Sequence, residues 1–267
     1  MLPWWSISRT SGVRSTVIKS IFLTYKPVWV TRLLSILFTS GSTGRPKAAC
    51  MPHRQVAGYA MTMIEAYAYS ETERIFNFAR LVFDISLSDI YGSLFCGATL
   101  CIARQLDMLN FQPLLLDQAR VTAVNFTPSI ASLLDVEGLP HLRHLVLTGE
   151  MAKPSLIMQW AGRCRFVNSY GPTEAAVITW TVAVRDMDAR CIGSTVRGMR
   201  NYILDDQMQQ VPLGVQGTIW CTGRQLSLGY LSRPEATAKA FRRNLFGPGV
   251  LYSTGKSFDQ STNEPFG

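Results

Sequence analysis

Residues 35–53 read SILFTSGSTGRPKAACMPH, an apolar run that breaks into Thr39-Ser40-Gly41-Ser42-Thr43-Gly44, reaches Lys47 and turns apolar again. A Gly/Ser/Thr loop suits an anion. Glycine lets backbone N–H groups approach closely, hydroxyls add donors and a lysine supplies charge. Those are the parts of a polyphosphate cradle. The same residues also suit an ordinary hairpin turn, so the loop needs company before it counts as a site. It is not a Walker A loop, which requires Gly-x-x-x-x-Gly-Lys-Ser/Thr. Gly255-Lys256-Ser257 near the C-terminus fails as well, because Val250 stands where the first glycine is needed and no helical pattern follows.

The elements that must position such a loop follow from hydrophobic period. Residues 34–38 and 48–51 read as short strands on either side of it, and 54–69 as a helix. RIFNFA, TLCIA, VTAVNF, LRHLVLTGE and RFVNSYGPTE read as strands. SLSDIYGSLFCGA, FQPLLLDQAR, PSIASLLDV and KPSLIMQWAG alternate with them as helices. This alternation predicts an α/β fold with a mainly parallel sheet flanked by helices. After Thr179 the texture becomes WTVAVR, YILDD, QVPLGVQGTIWCTG and GVLYSTG, short strands with Gly and Pro turns. The last residues, KSFDQSTNEPFG, are polar and are expected to be an unstructured tail over 256–267.

The chain of 267 residues is 47% hydrophobic and 16% charged, as suits a globular protein with a sizeable core. No apolar run reaches the roughly 18 residues of a membrane span. A net charge of +8 invites a nucleic-acid reading. The excess is local, however: residues 1–64 carry eight Lys or Arg and no acid, and the remainder holds 18 of each sign. Neither a nucleic-acid nor a membrane partner is expected. Residues 1–32 form a Ser-, Thr- and Arg-rich basic leader of unassigned function. Its composition would also fit mitochondrial targeting, against a cytoplasmic location as the first expectation. The six cysteines form no C-x-x-C pair and read as reduced core residues. His141 and His144 lack further ligands nearby, so no metal site is expected there.

The loop has company in order along the chain. FDIS (83–86), LTGE (147–150), NSYGPTEAAV (168–177), GTIWCTGRQLSLGYL (217–231) and LYSTG (251–255) follow FTSGSTGRPKAACMPH. Together these motifs resemble the adenylate-forming (AMP-binding) superfamily, and most of all the adenylation domains of nonribosomal peptide synthetases. The resemblance implies layered, mainly parallel sheets flanked by helices, with a small distorted β-barrel portion, over residues 33–255. It implies a two-step reaction: a carboxylate attacks the α-phosphorus of Mg·ATP, giving an acyl-adenylate and pyrophosphate, and a thiol then takes the acyl group. The acceptor would be the phosphopantetheine thiol of a carrier protein on another chain, with other synthetase modules as partners.

The same resemblance assigns residues. Thr39, Ser40, Gly41, Ser42, Thr43, Gly44 and Lys47 would cradle the β- and γ-phosphates. Gly149, Glu150, Asn168 and Tyr170, with Gly171 beyond them, would form the adenine slot, the tyrosine ring stacking on the base. Thr173 would bond the α-phosphate and Glu174 would hold Mg²⁺, a hard cation that suits oxygen ligands. Asp84 would pair with the α-ammonium of an amino acid, although a residue at the head of a helical pattern could equally serve as its N-cap. Ile85, Ser88, Asn125, Val146, Thr148, Ser169, Val177 and Ile178 would line the side-chain pocket. That set holds no second charge and suits a neutral side chain of moderate size.

Departures from the family pattern bear on activity. Lys256 stands where the family has an aspartate whose carboxylate accepts both ribose hydroxyls; lysine only donates. Ser253 replaces a basic residue, Ala48 a glycine and Thr218 a glutamate. The resemblance covers the middle half of an adenylation domain, without the hinge and the C-terminal lid whose lysine contacts the adenylate. Impaired activity and unpaired apolar surface are therefore expected. Two alternatives stay open: a catalytically dead remnant or fragment that binds nucleotide weakly, and an acyl-CoA synthetase-type ligase, which Asp84 disfavours.

Overall fold

The computed structural model describes residues 5–10, 13–18, 32–39, 46–104 and 113–259. They form two compact units, and the chain passes from one to the other within its first helix and again around residues 171–194.

The first unit is the α/β layer that the alternation predicts. Its strands are β1 (Trp5–Thr10), β2 (Val13–Ile18), β5 (Arg74–Asn77), β6 (Thr99–Ile102), β7 (Ala123–Phe126), β8 (His144–Leu147), β9 (Arg165–Tyr170) and β10 (Thr179–Val182). They lie in the order β1-β2-β6-β5-β7-β8-β9-β10. The run β6-β5-β7-β8-β9 is parallel. Its helices include α2 (Asp84–Cys96), α3 (Leu114–Gln118), α4 (Pro128–Ala131) and α5 (Pro154–Trp160). Strands β7 and β8 are buried at every position, as befits strands covered on both faces. Phe76, Val124, Phe126, Leu145, Leu147 and Phe166 pack with Leu156, Ile157 and Trp160 into one apolar cluster.

Part of the leader is strand. β1 and β2 pair antiparallel, and β2 pairs with β6, so residues 5–10 and 13–18 contribute the edge of this sheet. Edge strands tolerate polar sequences, which is why the Ser/Thr/Arg composition hid them.

The second unit holds the hairpin β3 (Leu33–Thr39) and β4 (Lys47–Pro52), whose bounds fall within a residue of those read from sequence. It also holds the short β11 (Ser194–Thr195) and an antiparallel sheet in the order β12-β13-β15-β14, from Met199–Leu204, Gln216–Gly223, Val250–Asp259 and Phe241–Arg243. Among the described residues this sheet is open, so the barrel portion the resemblance implied is corrected to a four-stranded sheet. The tail is corrected too. Lys256–Asp259 belong to β15, where Ser257 lies opposite Thr218 and Asp259 opposite Gln216. The partner strand satisfies the backbone of polar residues as well as it does apolar ones. The helix α1 (His53–Tyr67) begins in this unit, and α6 (Pro234–Ala240), which no sequence pattern had marked, lies wholly within it. Among the described residues no helix is long and apolar enough to cross a membrane.

Candidate functional site

In the first unit, parallel pairing sets the site. Asn125 lies opposite Val146, and Val146 opposite Val167. Thr148 and Ser169 follow two residues further on, so the period of two brings Asn125, Val146, Thr148 and Ser169 to one face at the carboxyl ends of the strands. Open α/β sheets bind ligands at those ends.

These side chains are joined. Thr148 Oγ1 donates to Asn125 Oδ1 at 3.0 Å and lies 2.8 Å from Ser169 Oγ. Asn125 Nδ2 donates to Ser88 Oγ at 3.3 Å, and the Tyr67 hydroxyl donates to Ser169 Oγ at 3.0 Å. Four sequence-predicted pocket residues, Ser88, Asn125, Thr148 and Ser169, thus form one buried polar chain. Two members were missed: Tyr67 at its far end, and Asp89 beside Ser88 at 3.3 Å. Burial pushes the Asp89 carboxyl well above its usual range, against the lowering pull of Asn77 and Ser88. Burial likewise holds the Tyr67 hydroxyl above the tyrosine range, so it stays a neutral donor.

Asp84 opens α2, half-buried, but Phe83 is the N-cap, and its extended backbone carries no side-chain cap bond. The N-cap reading of Asp84 is thereby corrected by one position. Ile85 is half-buried and its carbonyl accepts the Ser88 hydroxyl at 2.7 Å. Of the residues expected from the sequence to form an adenine slot, Asn168 is buried and donates to the Cys191 carbonyl at 3.0 Å. Tyr170 ends β9, half-buried. Gly149 takes a left-handed φ of 91° in the turn after β8. Glu150 is exposed and accepts the Ser129 N–H at 3.1 Å and its hydroxyl at 2.5 Å, which secures the start of α4.

The second unit carries a different cluster. Glu174 is 5% exposed; its Oε1 accepts the Tyr230 hydroxyl at 2.7 Å and the Thr39 hydroxyl at 3.2 Å. Lys47 Nζ stands 4.9 Å from the centre of the Tyr230 ring, a cation–π distance. The ends of β3 and β4, which enter and leave the Gly/Ser/Thr loop, therefore meet the glutamate of the NSYGPTE motif. Burial first, and the neighbouring Glu174 charge second, hold the Tyr230 and Tyr252 hydroxyls well above the tyrosine range, so both remain donors. Gln55 on α1 donates to the Thr173 carbonyl at 2.9 Å and fixes the backbone one residue earlier. At Gly171 an added Cβ would sit 1.8 Å from the Ala176 carbonyl oxygen, so the turn admits only glycine. Val177 and Ile178 are buried here, and the Ile178 carbonyl accepts from Asn201 at 3.1 Å. Residues Ser40, Gly41, Ser42, Thr43 and Gly44 lie outside the described residues. Lys256 is exposed on β15, where its N–H donates to Thr254 Oγ1 at 3.2 Å.

The histidines have carboxylate neighbours. His144 Nε2 lies 3.4 Å from Glu73 Oε1, and His141 Nε2 lies 3.8 Å from Asp117 Oδ1. None of the six cysteines is in a disulfide; Cys101 and Cys221 are buried and the others half-buried.

The first unit is an α/β layer with a polar face at the carboxyl ends of its parallel strands, and the second gathers Thr39, Lys47 and Tyr230 round the buried Glu174. The chain belongs to the AMP-binding enzyme family, whose description matches residues 14–231. It is 39% identical over 236 residues to the chondramide synthase cmdD of Chondromyces crocatus, covering 84% of this chain and 6% of that one. It is 36% identical over 212 residues to nonribosomal peptide synthetase 7 of Aspergillus fumigatus, covering 79% of this chain and 9% of that one. The chain thus spans a small part of the length of these synthetases. Among solved structures, the Vibrio cholerae adenylation domain AlmE, in complex with glycyl-adenosine-5'-phosphate, matches with a TM-score of 0.78 at 26% identity. That match covers 90% of this chain and 48% of AlmE. The N-terminal subdomain of Klebsiella oxytoca NpsA, in complex with 3-hydroxyanthranilyl-AMSN, matches with a TM-score of 0.74 at 25% identity, over 86% and 61% of the two chains.

Proposed function

We propose that this chain activates an amino acid as its acyl-adenylate for nonribosomal peptide synthesis, with nucleotide binding weakened at the ribose. The observation that supports it is the Glu174 cluster, where a buried carboxylate, two hydroxyls and Lys47 gather at the ends of the glycine loop. The donor set fits the chemistry. A carboxylate oxygen has two lone pairs, so Glu174 can accept hydroxyls and still face a hard cation. Mg²⁺, when bound, would neutralise phosphate charge. Lys47 would balance the β- and γ-phosphates together with the loop from Thr39 to Gly44, and Thr173 would orient the α-phosphate. This is catalysis by positioning and electrostatics, with little covalent work for the protein.

Asp84 would hold the α-ammonium, and Ile85 and Val146 would complete the pocket beside the polar chain. Asn168, Tyr170, Gly149 and Glu150 would receive the adenine. The acyl acceptor would be a carrier-protein thiol on another chain.

Lys256 favours a second reading, in which the chain keeps its amino-acid pocket but binds nucleotide too weakly to turn over. Amino-acid-dependent exchange of pyrophosphate into ATP decides between them. The first reading expects exchange in the wild type that rises in Lys256→Asp. Silence in the wild type with recovery in the variant supports the second. Silence in both, from folded protein, overturns amino-acid activation.

A further inference from the structure

Lys47 and Glu174 are opposite charges that the second unit brings close and yet leaves unpaired. Lys47 lies opposite Thr39 on the last rung of the β3–β4 hairpin, so the two side chains leave the same face of it. Such side chains start about 5 Å apart, which is less than the reach of a lysine stem. Thr39 Oγ1 donates to Glu174 Oε1 at 3.2 Å, so the Lys47 ammonium is within reach of the same carboxylate. Among the described residues it nevertheless forms no ion pair, and it rests over the Tyr230 ring at 4.9 Å. That ring is fixed from several sides. Tyr230 is 7% exposed, and its backbone bridges Ala49 on β4, two residues beyond Lys47. Its N–H donates to Thr237 Oγ1 at 3.0 Å, and Phe241 meets the ring edge-on at 6.0 Å. Its hydroxyl donates to Glu174 Oε1 at 2.7 Å. Tyr252 and the buried Cys221 also face this carboxylate, and burial keeps both neutral. One side chain thus carries the carboxylate at its hydroxyl and the ammonium over its face. A direct pair on so buried a carboxylate would tie up both charges, and a phosphate ligand would have to break it.

We propose that Tyr230 is a positioning residue that holds Lys47 off Glu174, keeping the ammonium available to a phosphate and the carboxylate available to a cation. This rests on the nucleotide-binding part of the reading above, and gives a role there to a residue outside both the glycine loop and the NSYGPTE motif. Without the ring, Lys47 folds onto Glu174, and phosphate binding weakens about 10-fold or more.

The first test is a double-mutant cycle of Lys47→Met and Glu174→Gln in urea unfolding, run in the wild type and in Tyr230→Leu, with Tyr230→Met in its place where Tyr230→Leu does not fold. In the wild type the two substitutions should act on the unfolding constant independently, to within about twofold. Without the ring they should couple by about 10-fold or more. Coupling of that size in the wild type, or equal coupling in both backgrounds, overturns the proposal. Calorimetric binding of pyrophosphate without Mg²⁺ adds a ligand readout, and this probe has no ribose to meet Lys256. Tyr230→Leu should bind it about 10-fold or more weakly than the wild type, and Tyr230→Phe, which keeps the ring, should lose less. Adding Glu174→Gln to Tyr230→Leu should restore affinity by more than the same change gains in the wild type, a rescue that a merely structural role would not produce. Equal affinity in the wild type and Tyr230→Leu, or no excess rescue, overturns the proposal. If the wild type binds no pyrophosphate, the phosphate-binding reading of Lys47 fails, and the unfolding cycle then judges the separation of the two charges alone.

Discussion

Asp89 and Glu174 are both buried carboxyls, and the protein treats them oppositely. Glu174 draws donors to itself, with hydroxyls at 2.7 and 3.2 Å on one oxygen and a lysine on the ring of one of those donors. Asp89 has two weak partners at 3.2 and 3.3 Å, one on each oxygen. Donors that gather round a buried carboxyl satisfy its lone pairs. Where they do not, the group keeps its proton. The first arrangement suits a place that must meet cations and phosphates. The second suits the wall of a pocket for a neutral side chain.

Substitutions can break or sharpen this contrast. The largest effect is expected at Gly171, which sets the turn leading to Glu174. Gly171→Ala drives a Cβ into the Ala176 carbonyl and should cost more than about 4 kcal/mol in urea unfolding. Glu174→Ala strands the Tyr230 and Thr39 hydroxyls and should cost about 3 kcal/mol, while Glu174→Gln, which keeps an acceptor, should cost less. Tyr67→Phe removes only the first donor of the neutral chain, so a loss of about 1 kcal/mol is expected. If Tyr67→Phe cost as much as Glu174→Ala, the two sites would not differ as argued.

The pH dependence carries a sign. The Asp89 carboxyl is raised in the folded state above its ordinary 3.8, so between those values the native state binds more protons than the unfolded one. Its contribution is therefore fully present below about pH 3.8 and declines as pH rises through the folded value. Asp89→Asn should remove that decline, and the stability of the variant relative to wild type should grow from pH 4 upward. A difference that is flat with pH in paired urea titrations would show that Asp89 titrates normally.

How much of this was legible before the structure depended on what kind of signal each residue leaves. The strands flanking the glycine loop and the α1 helix show in hydrophobic period, because both bury one clear face. Ser88, Asn125, Thr148 and Ser169 could be placed through the order of the motifs, and their joining into one chain needed only the parallel register of β7, β8 and β9. Asp89 was hidden because an aspartate inside a helical pattern reads as a solvent-facing residue, and nothing local says that Asn77 on another element will meet it. Tyr230 and Tyr252 were hidden for the same reason: their hydroxyls serve Glu174, which lies 56 residues before the first of them. The leader hairpin and the last turns of β15 left no period at all, since a polar edge is satisfied through its backbone alone.

The central proposal is that the chain binds an amino acid while Lys256 weakens its hold on the ribose of ATP. Calorimetric titration of Mg·ATP and of an amino acid into the wild type and Lys256→Asp tests it most directly. Restoring two charge-assisted bonds to the ribose hydroxyls should tighten ATP binding about 10²- to 10⁴-fold and leave amino-acid binding unchanged. Equal ATP affinity in both proteins would contradict the account.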